Sequence, residues 1–223
     1  MSGVRSARTR SRARDAAFAA VLAATLWGTT GSAEIVRGFK ETWAGTSVQG
    51  WDQGLADETN PGTGGHGGLG DGYLRIIRTT TAQLGAKSST ADYVGDYRAA
   101  RVTQIRLWVT DVSTEQPIED HLSVGNSTNL WQYNVGVQPS AGTWTEYVVD
   151  LNATAQWTHI VGTGTFEQAL TNADRILIRH DVAPFQFSPD LIQGDFGIDD
   201  LEMTWDPVPV SRTTWGRIKS MYR

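Results

Sequence analysis

The sequence contains no cysteine. Disulfides, thiolate metal sites and thiol nucleophiles are therefore excluded. Histidine is scarce: His66, His121, His159 and His180 stand far apart, without the short spacing of a zinc site. No nucleophile elbow supports Ser-His-Asp chemistry. Lysines are few. No apolar run is long enough to span a bilayer; residues 16–27 (AAFAAVLAATLW) form a run of twelve where about 20 are needed. No internal repeat and no convincing long helix is present. Without disulfides, the fold must be held by its core, with a bound ion as the one available supplement.

What is abundant points to a turn-rich β protein. Among 223 residues are 24 glycines and nine tryptophans. Arg5, Arg8, Arg10, Arg12 and Arg14 precede the apolar run, and Gly31-Ser32-Ala33 follows it with small residues. That order predicts a secretory signal peptide over residues 1–33, cleaved after Ala33. The alternative is an amphipathic organellar or basic leader. The five arginines and one aspartate give this leader +4, so its removal takes the chain from −5 to −9. An acidic mature chain argues against nucleic acid as partner.

Residues 34–206 then form one domain. Weak strand signals lie at 34–42 and 49–52. Residues 60–72 (NPGTGGHGGLGDG) hold seven glycines in thirteen positions and predict a long surface loop. Strands are expected at 73–78, 102–109, 121–124, 130–135, 145–151 and 175–180. Residues 80–92 read as a polar connection and 157–170 as irregular, with one helical turn at 166–169. Pro184 and Pro189 make 185–192 a loop over a sheet edge. In 102–109, Ile105, Leu107 and Val109 mark the core face. The fold class is all-β, a two-sheet antiparallel sandwich.

Residues 194–205 (GDFGIDDLEMTW) predict the closing strand. Leu201, Met203 and Trp205 alternate with Asp200, Glu202 and Thr204, but Ile198 falls out of phase. A bulge near Asp199–Asp200 resolves the conflict. A linker, DPVP, follows. Residues 207–223 carry Arg212, Arg217, Lys219 and Arg223, with Trp215, Ile218 and Tyr222 at helical spacing. This basic tail either packs on its domain, docks or sorts the protein, or stays without structure.

The run YVGDYRAARVTQIRLWV (93–109) resembles a phrase of bacterial exported laminin-B-like and carbohydrate-binding-module-like jelly-roll domains. GTWTEYVVDL, RILIRHD and FGIDDLEMTW resemble later strands of the same domains, so the likeness spans 39–205. It implies a jelly roll with a structural calcium ion where first and last strands meet. By position, Glu41 and Asp199 would be its ligands. Calcium needs six to eight oxygens, which carboxylates and loop carbonyls can supply. The domains that the chain resembles also often carry C-terminal sorting tails.

For function, the expectation is an exported, non-catalytic binding module for a glycan, at the cell surface or secreted. Trp108, Trp131 and Tyr133 would stack on sugar faces, and Asn129 would hydrogen-bond hydroxyls. Trp108 lies on the polar side of its strand; Trp131 and Tyr133 share a strand face. Trp144 reads as a turn-packing residue. The alternatives are a structural or adhesive envelope or matrix protein, and a glycoside hydrolase or polysaccharide lyase. Hydrolysis would need paired carboxylates, such as Asp195 with Asp199 or Glu146 with Asp200.

Overall fold

The computed structural model describes residues 35–205 apart from 53, 55, 114 and 115. The expected leader and tail lie outside the described residues. The strands are β1 (Lys40–Glu41), β2 (Asp57–Thr59), β3 (Leu74–Gln83), β4 (Gly85–Ser88), β5 (Gln104–Asp111), β6 (Asp120–Asn126), β7 (Asn129–Tyr133), β8 (Thr145–Asp150), β9 (Trp157–Gly162), β10 (Arg175–His180) and β11 (Leu191–Thr204). One short helix, α1 (Phe166–Thr171), is closed at its start by a reciprocal Thr165–Gln168 capping box.

These strands form two antiparallel sheets. Sheet I runs β2-β3-β11-β5-β8, with β1 also on β11; sheet II runs β4-β10-β6-β7-β9. The result is an all-β sandwich of jelly-roll type. Alternation along each strand sets what lies between the sheets. Ile105, Leu107 and Val109 of β5 face inward, as do Tyr147 and Val149 of β8, Leu122 and Val124 of β6, and Ile176 and Ile178 of β10. Fully burying such a side chain contributes about 1.5–3 kcal/mol before entropy is counted. Trp43, Trp51 and Tyr93 add an aromatic end to this core, edge to face at 6.0 and 5.2 Å.

β11 is the centre of sheet I, and its phase break is a bulge. The register on β5 shifts between Asp199 and Glu202, and Asp200 sits at φ 50°, a left-handed conformation that Asp tolerates better than most residues. Phe196 and Ile198 face the core before the bulge, Leu201 and Met203 after it. β1 joins just beyond, with Lys40 opposite Glu202 and Glu41 opposite Leu201. The Asp200 carboxylate binds Lys40 Nζ at 2.7 Å and the His66 ring at 3.1 Å. The bulge thereby anchors the glycine-rich loop of residues 60–72. Gly197 has a packing reason: a Cβ there would meet the Tyr73 ring at 2.7 Å.

Four expectations are corrected. The first strand is only the two residues of β1, and 49–52 holds a turn at 49–50 and no strand. The supposed connection at 80–92 contains the end of β3 and all of β4. The irregular stretch at 157–170 begins with β9. The loop carrying Pro184 and Pro189 lies over the outer face of sheet II rather than a sheet edge, and β11 already starts at Leu191.

Candidate functional site

The outer face of sheet II carries Arg175, Leu177 and Arg179 of β10, Lys87 of β4, His121 and Ser123 of β6, and Leu130 and Gln132 of β7. Polar side chains on an outer face normally meet water. Here His121, Ser123, Gln132 and Arg179 are buried, because residues 182–190 fold back over them. The Arg179 guanidinium is the clamp. Its Nε donates to Gln132 Oε1 at 2.7 Å, and its Nη2 to Asp181 Oδ2 at 2.8 Å and the Gln186 carbonyl at 2.6 Å. Its Nη1 donates to the Phe187 carbonyl at 2.8 Å. Gln132 also donates to Asp181 Oδ2 at 2.9 Å, and Asp181 Oδ1 accepts from the Asp190 amide at 3.3 Å.

Every polar arm of this network finds a partner, which is the condition under which buried polar groups rigidify a structure. Burial pulls the guanidinium down from its ordinary value, while the nearby Asp181 and Asp190 oppose the shift. The side chains of Arg179 and Asp181 are 3% and 1% exposed. At the far end of the clamped loop, His121 packs on Phe185 with ring centroids 4.7 Å apart.

The clamp leaves a cleft of about 180 Å³ between the loop and the exposed edge of the sheet. Its apolar walls are Phe187, Leu177 and Leu130; Lys87, Arg175 and Gln83 bring polar groups to it. Phe187 is 67% exposed although its own carbonyl is held by Arg179. The result is an apolar ring displayed on a fixed backbone. The cleft is smaller than the roughly 300 Å³ at which drug-sized pockets begin, so it suits a shallow contact with part of an extended ligand. No Asp or Glu side chain is among the described residues that line it. Hydrolysis of a glycosidic bond in this cleft would therefore lack the flanking carboxylates that it ordinarily requires.

The residues singled out from sequence are divided between the two sheets. Asn129, Trp131 and Tyr133 share one face of β7, as their spacing requires, but it is the face toward the core. Trp131 Nε1 donates to Asn129 Oδ1 at 2.8 Å, and Asn129 donates to the Thr165 carbonyl at 2.9 Å. Trp131 stacks on His159 at 4.8 Å and packs against Phe166; Tyr133 is 4% exposed and donates to Gln156. Trp108 lies on the outer face of sheet I, half-buried, with one side of its ring covered by the His66 imidazole at 3.8 Å. Trp144 meets His66 and Tyr73 edge-on there.

Glu41 and Asp199 occupy opposite sides of sheet I. Glu41 lies opposite core-facing Leu201, and Asp199 opposite outward-facing Trp108. Asp199 accepts from the His66 amide at 2.7 Å, and burial pushes its carboxyl up to about 7. Glu41 accepts from the Trp43 amide at 3.2 Å. No group of three or more His, Asp or Glu side chains is gathered as for a metal among the described residues.

Phe187, Lys87 and Arg175 were absent from the sequence-based set. The available signal was the segment PFQFSP at 184–189, two aromatics between prolines. It marks a constrained loop that presents rings instead of burying them.

No protein-family model and no curated protein sequence matches the chain. Among solved structures, it is similar to the xylan-binding CBM22-1 domain of Paenibacillus barcinonensis Xyn10C, with 13% identity and a TM-score of 0.49 over 77% of this chain and 99% of that one. It is also similar to the family 11 carbohydrate-binding module of the cellulosomal cellulase Lic26A-Cel5E of Clostridium thermocellum, with 12% identity and a TM-score of 0.48 over 79% and 92%. A third similar structure is the K1 cleaved adhesin domain of Lys-gingipain from Porphyromonas gingivalis W83, with 13% identity and a TM-score of 0.46 over 76% and 98%. Likenesses of this extent assign neither a family nor a ligand.

Proposed function

We propose that the protein is an exported, non-catalytic glycan-binding module whose ligand lies in the cleft on the outer face of sheet II. The observation that carries this reading is Phe187. Its ring is exposed, its backbone is fixed by a buried arginine, and hydrogen-bonding side chains flank it. A sugar ring presents an apolar face edged by hydroxyls, and an aromatic ring beside Lys, Arg and Gln side chains matches both. Preorganisation matters because ordering a loop on binding would consume part of the affinity. The basic-then-apolar leader supports export. Among the described residues, no helix is long and apolar enough to cross a membrane.

Affinity electrophoresis and calorimetric titration against a panel of soluble polysaccharides test the reading. The full chain is expected to bind at least one of them. Phe187→Ala is expected to weaken that binding about thirtyfold, about 2 kcal/mol, as for a central aromatic anchor. Its melting temperature should be unchanged, because the ring is mostly in solvent. A panel without binding, or affinity indifferent to Phe187→Ala, would count against it.

A further inference from the structure

Resting on the glycan reading, we infer that the cleft selects anionic glycans, with a carboxylate or sulfate of the ligand held between Lys87 and Arg175. Lys87 lies directly opposite Leu177, and Arg175 is two residues away on the same face of β10. That diagonal relation puts their Cα atoms roughly 7–8 Å apart, within reach of two long side chains converging on one anion.

Of the ten Lys and Arg side chains within 35–205, Lys40, Arg75, Arg98, Arg106, Arg175 and Arg179 are ion-paired. The charge inventory leaves Arg37, Arg78, Lys87 and Arg101 without an ion pair among the described residues. Of these four, Lys87 is the one that lines the cleft, whose walls are mainly apolar. Arg175 binds neighbouring Asp174 through Nε at 2.5 Å and Nη2 at 3.2 Å, leaving Nη1 outside that pair. Arg179 is fully engaged below and contributes the floor, not a ligand contact. No acidic side chain is among the described lining residues, and the nearby Asp174 carboxylate is already paired with Arg175. The whole chain is net acidic, so a polyanion is disfavoured over the general surface and favoured here.

The test is titration of the full chain with three oligosaccharides of similar length: an oligogalacturonide, a sulfated oligosaccharide and a neutral xylo-oligosaccharide. One of the anionic probes is expected to bind at least tenfold more tightly than the neutral one, and which of the two does so identifies the group. Lys87→Gln should reduce that affinity about tenfold, the loss of one charge-assisted hydrogen bond. Lys87→Gln with Arg175→Gln should reduce it further. Both variants should keep the wild-type melting temperature, and any neutral binding should fall by less than the anionic binding does. The paired variants also separate the cleft from the basic tail, which both retain. Equal affinity for neutral and anionic probes would overturn the inference and leave the glycan reading standing. Anion binding unaffected by both substitutions would overturn it too, by locating the anion elsewhere. Failure of all three probes and of the polysaccharide panel would overturn the glycan reading itself.

Discussion

Replacing Arg179 with methionine is expected to destabilise the protein by about 3–5 kcal/mol, the cost of stripping one partner from a buried ion pair. Asp181 would remain, 1% exposed, with its charge uncompensated. Gln132 and the carbonyls of Gln186 and Phe187 would lose their donors at the same time. Urea unfolding monitored by tryptophan fluorescence measures the loss as a lower midpoint at unchanged slope. Changing Asp181 to leucine in the same chain should recover part of it, since the orphaned charge disappears. Glycan affinity should fall with the single substitution even below the unfolding transition, because Phe187 is no longer held. A loss under about 1 kcal/mol would show that the clamp is not what fixes the loop.

Replacing Asp120 with asparagine is expected to have the opposite sign. Asp120 is fully buried between the sheets, and neither of its carboxylate oxygens has a hydrogen-bonding partner among the described residues. Burial pushes its carboxyl well above the usual range, and Asp111 and Glu119 push it further. The folded protein therefore holds this proton more tightly than the unfolded chain does. Its stability contribution is complete below the unfolded value of about 3.9 and is lost as pH rises toward the folded value. Glu58 and Asp199, each pushed up to about 7 chiefly by burial, act in the same direction. Asparagine stays neutral throughout. At pH 7.5 the variant should be more stable by about 1–3 kcal/mol, and the advantage should shrink toward zero near pH 4. Taking the difference between the two proteins at each pH cancels the other titrating groups. A variant less stable at pH 7.5 would mean that the carboxylate has a partner that an amide cannot replace.

Much of the fold is legible in the sequence because alternation reports burial wherever one strand face is wet. β5, β8 and β10 have that pattern. The bulge in β11 is legible for the same reason: Ile198 and Leu201 cannot both face inward unless the strand gains a residue, and Asp200 is that residue. β9 is hidden by the converse case. Its buried residues, Trp157 and Ile160, are three apart because the pairing with β7 shifts between Leu130 and Trp131. β4, with the sequence GAKS, has small residues where another backbone passes close by, so it carries almost no apolar signal.

The site was less legible, and the reason is physical. Spacing puts Trp131 and Tyr133 on one face, but cannot say whether that face is inner or outer. In the folded chain Gln132 points outward and is nevertheless buried, because a loop from the other side of β10 closes over it. Arg179 and Asp181 are likewise buried despite their charge. Only the three-dimensional return of residues 182–190 turns those polar groups into a floor and leaves Phe187 as the exposed ring.

The most direct test of the proposed glycan site is a titration of the isotopically labelled full chain with its tightest-binding oligosaccharide, followed by backbone amide and side-chain shifts. Saturable perturbations should concentrate at Lys87, Arg175, Leu177 and residues 185–188, with Trp108, His66 and Trp131 unmoved. Perturbations centred on Trp108 and His66, with the β10 face silent, would place any ligand on sheet I and contradict the account.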